Sequence, residues 1–262
     1  MSKFNEIIKN LMFDAAPSEV LSVYKSLLDL TDGKNKASII DVLQEYNIAH
    51  RIPITIDGTP SVISEYNKQG SKFYDPIKKK LFSVDYVEGN AMDIEPYDVD
   101  VPEEQMKVFE DIQQYLKSTF PAESACSVLS TGEEDNLAII IVSMKFSPAN
   151  FWSGYWKSEY IYNPRSKELK GKIDVSAHYY ENGNVKFKFS ESINEEAVKD
   201  IVTSIKRIET TFDTKLNVGF RKLNETQFSK LRRRLPVTRS KINWGKAIGN
   251  YRLGKDATKG SD

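Results

Sequence analysis

Leu137–Phe146 reads LAIIIVSMKF, and Lys170–Val185 reads KGKIDVSAHYYENGNV. The first stretch is almost continuously apolar, the pattern of a central strand covered on both faces. In the second, Ile173, Val175, Ala177 and Tyr179 alternate strictly with Lys172, Asp174, Ser176 and His178, a strand with two unlike faces. Asn182-Gly183 then turns the chain, a strong hairpin signal, and Val185, Phe187 and Phe189 alternate with Lys186 and Lys188 on the return. Between the two stretches, Phe151–Tyr162 carries Trp152, Trp156, Tyr160 and Tyr162 on one face. With Ser124–Ser130 these segments predict about five consecutive antiparallel strands, a meander. Val198, Ile201, Val202, Ile205, Ile208 and Phe212 then fall at helical spacing, a stripe wide enough to cover the sheet. The fold class is α+β.

Upstream, residues 1–48 read as three short helices. Phe4, Ile7, Ile8 and Leu11 share one helical face. Pro17 suits a first turn, and Val20, Leu21, Tyr24, Leu27 and Leu28 continue the period until Asp32-Gly33 stops it. Ile39, Ile40, Val42, Leu43 and Tyr46 mark the third helix, and loops this short predict a small antiparallel bundle. The next stretch is β-rich: Ile52, Ile54 and Ile56 alternate with polar residues, and Asp57-Gly58 signals a hairpin. Lys78-Lys79-Lys80 and the acidic run after it read as surface. Pro102 followed by Glu103 and Glu104 opens a helix whose buried stripe is Val108, Phe109, Ile112, Tyr115 and Leu116, and Pro121 ends it.

The chain has 262 residues, 40% hydrophobic and 28% charged, enough to bury a core in one large domain or two small ones. It has no run of about 18 apolar residues that would span a membrane. Met1–Ala16 carries Glu6 and Asp14 and lacks a basic stretch followed by an apolar one, so no signal peptide is expected. One cysteine, Cys126, excludes an internal disulfide and fits a reducing cytoplasm. With only His50 and His178 besides, no Cys/His zinc site is expected, and no cofactor. The net charge is zero, yet residues 221–262 hold 12 Lys/Arg against 3 Asp/Glu. Such an end points to an acidic target: nucleic acid, anionic lipid or an acidic protein surface. The predicted organisation is a helical stalk over 1–48, a β-rich globule and helix over 49–120, the sheet with its long helix over 121–220, and a basic helix and tail over 221–262.

Phosphate-loop, dinucleotide, HExxH and GxSxG motifs are missing, which argues against an enzyme. Asp93, Glu95, Asp98 and Asp100 lack the glycine and terminal glutamate of a calcium loop and read as a solvated acidic segment. His178 reads as a hydrogen-bonded structural histidine rather than a base, and Cys126 as a small buried hydrophobe. The aromatics around Trp152 and Trp156 have two readings: a platform for stacking bases or sugars, or a sheet face packed under a helix.

The C-terminal segment differs from all of this. Asn224, with Gln227 three residues on, starts a last helix that ends before Pro236. Arg232, Arg233, Arg234, Arg239 and Lys241 crowd around that proline. Trp244, Ala247, Ile248 and Tyr251 then fall at i, i+3, i+4 and i+7, an apolar stripe with no later sequence to cover it. Gly245, Gly249 and Gly254 each cost roughly 1 kcal/mol relative to alanine in a helix. The tail therefore reads as mobile when free and ordered in a partner's groove; the other reading packs it on the protein's own core.

Three motifs carry a resemblance. FWSGYWKS at 151–158, the hairpin at 170–185 and LRRRLPVTRSKINW at 231–244 resemble the aromatic strand, the HYYEDGNV hairpin and the LRRxLPVTRxKIxW signature of the F-actin capping protein α subunit family. The resemblance implies a non-enzymatic, obligate α/β heterodimer whose two sheets lie side by side as one. It implies calcium-independent binding to the barbed end of actin filaments, through a C-terminal tentacle, in the cytoplasm and at cortical actin patches. Arg233 and Arg239 match family residues that matter for capping, and Lys230 stands beside Ser229, where the family has a lysine. Together with the cluster and stripe, the expected actin-binding set is Lys230, Arg232, Arg233, Arg239, Lys241, Trp244, Ala247, Ile248 and Tyr251. Anionic phosphoinositides are a further candidate partner of the arginines, and no nucleic acid partner is expected. The alternative is a module that binds anionic lipid or nucleic acid through the same cluster by counterion release; the apolar stripe, which phosphates do not require, speaks against it.

Overall fold

The computed structural model describes residues 3–120, 123–132, 135–181, 184–223 and 225. The expected turn at Asn182-Gly183, the helix from Asn224 and the tail beyond it lie outside the described residues, wholly or in part.

Three helices come first: α1 (Lys3–Asp14), α2 (Val20–Leu30) and α3 (Lys36–Ala49). Their shared core is Ile8, Met12, Val20, Tyr24, Leu27, Ile39, Val42, Leu43 and Tyr46. The Tyr46 hydroxyl donates to the Ala15 carbonyl at 3.0 Å, which ties the α1–α2 connection to α3. Gly33 closes α2 by returning its amide to the Leu28 carbonyl at 2.9 Å. Two expectations need correction here. Pro17 lies in the turn ahead of α2 and not in its first turn. The α1 stripe divides: Ile8 and Met12 face inward, but Ile7 and Leu11 are 52% and 50% exposed. The bundle buries only part of the apolar stripe, so a ridge stays exposed among the described residues.

A six-stranded sheet follows: β1 (Pro53–Ile56), β2 (Thr59–Val62), β3 (Lys68–Gln69), β4 (Lys72–Asp75), β5 (Lys80–Asp85) and β6 (Asn90–Pro96). Its order is β2-β1-β6-β5-β4-β3, closed by one parallel contact, Thr55 opposite Asn90. Asp57 and Gly58 (φ +49° and +74°) form the two-residue turn joining Ile56 to Thr59, as the Asp-Gly pair predicts. Lys79 is exposed as expected, but Lys78 is half-buried, its ammonium donating to the Thr59 carbonyl at 3.1 Å.

After α4 (Glu103–Thr119) come β7 (Glu123–Ser130), β8 (Leu137–Ser147), β9 (Trp152–Asn163), β10 (Glu168–Tyr179) and β11 (Val185–Glu195). They pair only with their sequence neighbours, all antiparallel, which is the expected meander. One face packs Ile139, Ile141, Trp156, Tyr160, Leu169, Ile173 and Val175 beneath α4 and α5 (Ile201–Leu223). The other packs Ala125, Leu129, Ala138, Ile140 and Val142 against Val62 of β2. Gly171 faces Tyr160 across the β9–β10 ladder; a Cβ there would lie 2.6 Å from the Glu159 carbonyl oxygen and closer still to the Tyr160 ring. The strand tolerates glycine at that point because the ring occupies the space a side chain would need.

The three parts meet at Arg51. Buried at the end of α3, it donates to the Ile48 carbonyl (2.7 Å), to Glu65 beside β2 (2.7 Å) and to Glu159 of β9 (2.6 Å).

Candidate functional site

The basic cluster (Lys230, Arg232, Arg233, Arg239, Lys241) and the stripe (Trp244, Ala247, Ile248, Tyr251) lie outside the described residues. The structure does place the helix from which they depart. Asp200 caps α5, accepting the Thr203 amide at 2.6 Å. Ile205, Ile208, Phe212, Leu216 and Phe220 bury its inner face, with Phe212 edge-on to Trp156 at 5.5 Å. The stripe thus continues two residues, Leu216 and Phe220, past the sequence reading. Arg221 and Lys222 occupy the last turn, where cations favour the helix dipole and begin the basic segment. In the middle of the apolar face stands Glu209, fully buried. Its carboxylate accepts the Tyr115 hydroxyl at 2.6 Å and the Tyr160 hydroxyl at 3.3 Å. Sequence reading passed over it; the signal was a lone carboxylate four residues after Ile205 inside an apolar stripe.

The second feature is the free edge of the five-stranded sheet. Tyr180 donates its amide to Phe151 on the β9 side at 2.9 Å. By the alternation of an antiparallel ladder, odd-numbered residues of β10 bond β11, and odd pairs with odd, as Ile173 opposite Glu191. The even-numbered residues of β11, Lys186 to Asn194, therefore turn their backbone groups outward. Its odd-numbered Val185, Phe187, Phe189 and Ile193 are only partly buried against the core. On the stalk, Ile7 and Leu11 add an exposed apolar ridge. An eleven-residue strand whose outward backbone groups meet no other strand among the described residues, with half-covered aromatics, is a surface that a partner strand would complete.

Between stalk and sheet lies a cleft of about 360 Å³, bordered by Phe13, Pro17, His50, Lys157, His178 and Lys188. His178 spans its wall. Nδ1 lies 2.7 Å from a Glu19 oxygen that also accepts the Ser153 hydroxyl at 2.6 Å, and Nε2 lies 2.9 Å from Asn184 Oδ1. It is a hydrogen-bonded structural histidine, as expected. His50 stacks on Tyr46 at 3.9 Å, and its Nδ1 lies 3.0 Å from the Tyr46 carbonyl. Burial holds its imidazole below the ordinary value; the Tyr46 carbonyl opposes this, and Lys157 and Lys188 add to it.

The remaining candidates resolve simply. Trp156 is fully buried among Phe120 and Phe212, and Trp152 is buried as well, so the aromatic strand is packed core and offers no stacking platform. Burial pushes the Cys126 thiol up to about 12, which makes it inert. Of the acidic run, Glu95 pairs with Lys72 at 2.8 Å and Asp98 with Lys79 at 2.7 Å. These carboxylates face outward on separate lysine partners and do not converge.

A family model described as F-actin capping protein alpha subunit matches residues 8–256. The F-actin-capping protein subunit alpha of Eremothecium gossypii is 53% identical over 260 residues, covering 99% of this chain and 100% of the relative. That of Saccharomyces cerevisiae is 46% identical, covering 99% and 98%. Among solved structures, the homodimeric actin capping protein alpha subunit from Plasmodium berghei superimposes with a TM-score of 0.75 at 20% identity, covering 90% of this chain and 98% of that one. From the helical bundle through the meander to the basic segment, the chain belongs to the F-actin capping protein alpha subunit family.

Proposed function

We propose that this chain is the α subunit of a heterodimer that caps the barbed ends of actin filaments without calcium and blocks subunit gain and loss. The observation that carries this reading is the extent of the family match. It takes in the stalk, the sheet, α5 and the basic-then-apolar segment in one piece. The β subunit pairs along the outward edge of β11 and covers the Ile7–Leu11 ridge. Lys230, Arg232, Arg233, Arg239 and Lys241 steer the dimer onto acidic actin, and Trp244, Ala247, Ile248 and Tyr251 then bury themselves on the filament. Each large side chain buried there contributes roughly 1.5–3 kcal/mol, before the cost of ordering the tail. The outward carboxylates, already held by lysines, supply no calcium cage. The site of action is the cytoplasm, at cortical actin patches, where anionic phosphoinositides compete for the same arginines.

The test is elongation from preformed filament seeds with the heterodimer, in the presence of a calcium chelator. Arg233→Glu with Arg239→Glu should slow association, most at low salt. Deletion of residues 243–262 should speed release roughly tenfold or more. Full capping by both variants would overturn the assignment of the site. Loss of vesicle or nucleic acid binding with capping unchanged would favour the anionic-ligand reading of the cluster.

A further inference from the structure

The inner face of α5 repeats apolar residues at three- and four-residue spacing from Ile205 to Phe220. Such a stripe is nearly degenerate: sliding by one turn, about 5.4 Å, sets apolar residues on apolar residues again. Glu209 breaks that degeneracy. It is fully buried in the middle of the stripe, and its two oxygens accept hydroxyls from different elements, Tyr115 of α4 and Tyr160 of β9. Both tyrosine rings are packed in turn. Lys206 sits 5.6 Å over the Tyr115 ring, which is edge-on to Phe120 at 6.1 Å, and Tyr160 fills the space above Gly171. Any slip or rotation of α5 would take the buried carboxylate away from these two hydroxyls, a costly change inside the core. A buried polar group of this kind selects one register more than it adds stability.

Register matters because of what α5 carries. Leu223 lies fourteen residues beyond Glu209, about 21 Å along the axis. A one-turn slip displaces Arg221 and Lys222 along the sheet by that turn, and a one-residue rotation swings them by about 100°. We infer that Glu209, held by Tyr115 and Tyr160, is the register pin of α5. It is a positioning residue for capping that acts through the helix on the basic segment, and in this it rests on the capping function proposed above.

The experiment compares heterodimers carrying Glu209→Met, Glu209→Gln and the pair Tyr115→Phe with Tyr160→Phe. Each is measured for capping affinity, thermal midpoint and amide exchange across residues 214–223. Glu209→Met replaces the carboxylate with an apolar group of similar length, so the midpoint should equal or exceed that of the native dimer. Capping should nevertheless weaken on the order of tenfold, with faster exchange across 214–223. Glu209→Gln keeps an acceptor for one tyrosine and should recover most of the affinity. Native capping and exchange in Glu209→Met would overturn the inference, as would a capping loss that merely follows a lowered midpoint. If Glu209→Met does not assemble, the paired phenylalanine variant decides: native capping and exchange there also overturn it. If the native dimer itself does not cap, the capping proposal fails, and the exchange data alone then decide whether α5 is pinned by Glu209.

Discussion

The two edges of the five-stranded sheet are built from similar lengths of chain and meet opposite fates. On β7, Ala125 to Leu129 are all buried, five successive residues on an edge strand. α4 covers one side, where Gln105 donates to the outward Val128 carbonyl at 2.8 Å, and β2 covers the other through Val62. On β11, residues alternate between half-buried and exposed along the whole strand. No described element crosses its outer side. Burial of the first edge is internal architecture, whereas the second has no such cover among the described residues and is the edge proposed above for the β subunit. A single alternation of hydrophobic and polar residues does not distinguish these cases; the neighbours decide.

The contrast can be broken by substitution. Leu129→Ala, on the covered edge, should cost roughly 2–5 kcal/mol of stability by leaving a cavity against Val62 and Ala138. Denaturant unfolding of the heterodimer would show it, with subunit pairing unchanged; a loss of pairing would mean that this edge is also an interface. Ser192→Pro acts in the opposite sense. Its amide faces outward, so the ladder to β10 survives while a strand adding to β11 loses a donor and meets the ring. Subunit affinity should fall at least about tenfold, with a native-like fold, as read by co-purification and sedimentation. Unimpaired pairing would remove β11 from the interface. The Plasmodium berghei relative is homodimeric, so sedimentation of this chain without a β subunit also asks whether the same edge accepts a second copy.

The smallest effect belongs to Asp200→Ala, which removes the cap of α5 and should cost about 1 kcal/mol. The Thr203 hydrogen bonds hold the Asp200 carboxyl below its ordinary 3.8. A lowered folded value means that the cap's contribution is present above the ordinary pKa and is lost as pH falls through the folded one. The difference between native and Ala proteins should therefore shrink below about pH 4. A difference that grew with acid would contradict the cap.

Legibility in the sequence followed the range of the interaction. The meander was readable because each strand pairs with its neighbour and each ladder is announced by alternation or a turn, as in Ile56-Asp57-Gly58-Thr59. The parallel contact of Thr55 with Asn90 was not, since nothing local marks two strands 35 residues apart as partners. The same holds for Arg51 and Glu159, whose bond spans 108 positions. Periodicity also overstated the α1 core. It identifies an apolar face, and Ile7 and Leu11 lie on that face yet stay half-exposed. The family was legible for the opposite reason: its signature at 231–244 is contiguous and needs no folding to be seen.

The burial of Cys126 has a practical side. It is the chain's one cysteine, and with its thiol raised to about 12 it presents almost no thiolate at neutral pH. A maleimide dye would pass it by in this subunit. A cysteine introduced near the C-terminus of this chain could then carry a fluorophore without first removing the native one, so arrival at and departure from single filaments could be timed on otherwise unaltered protein.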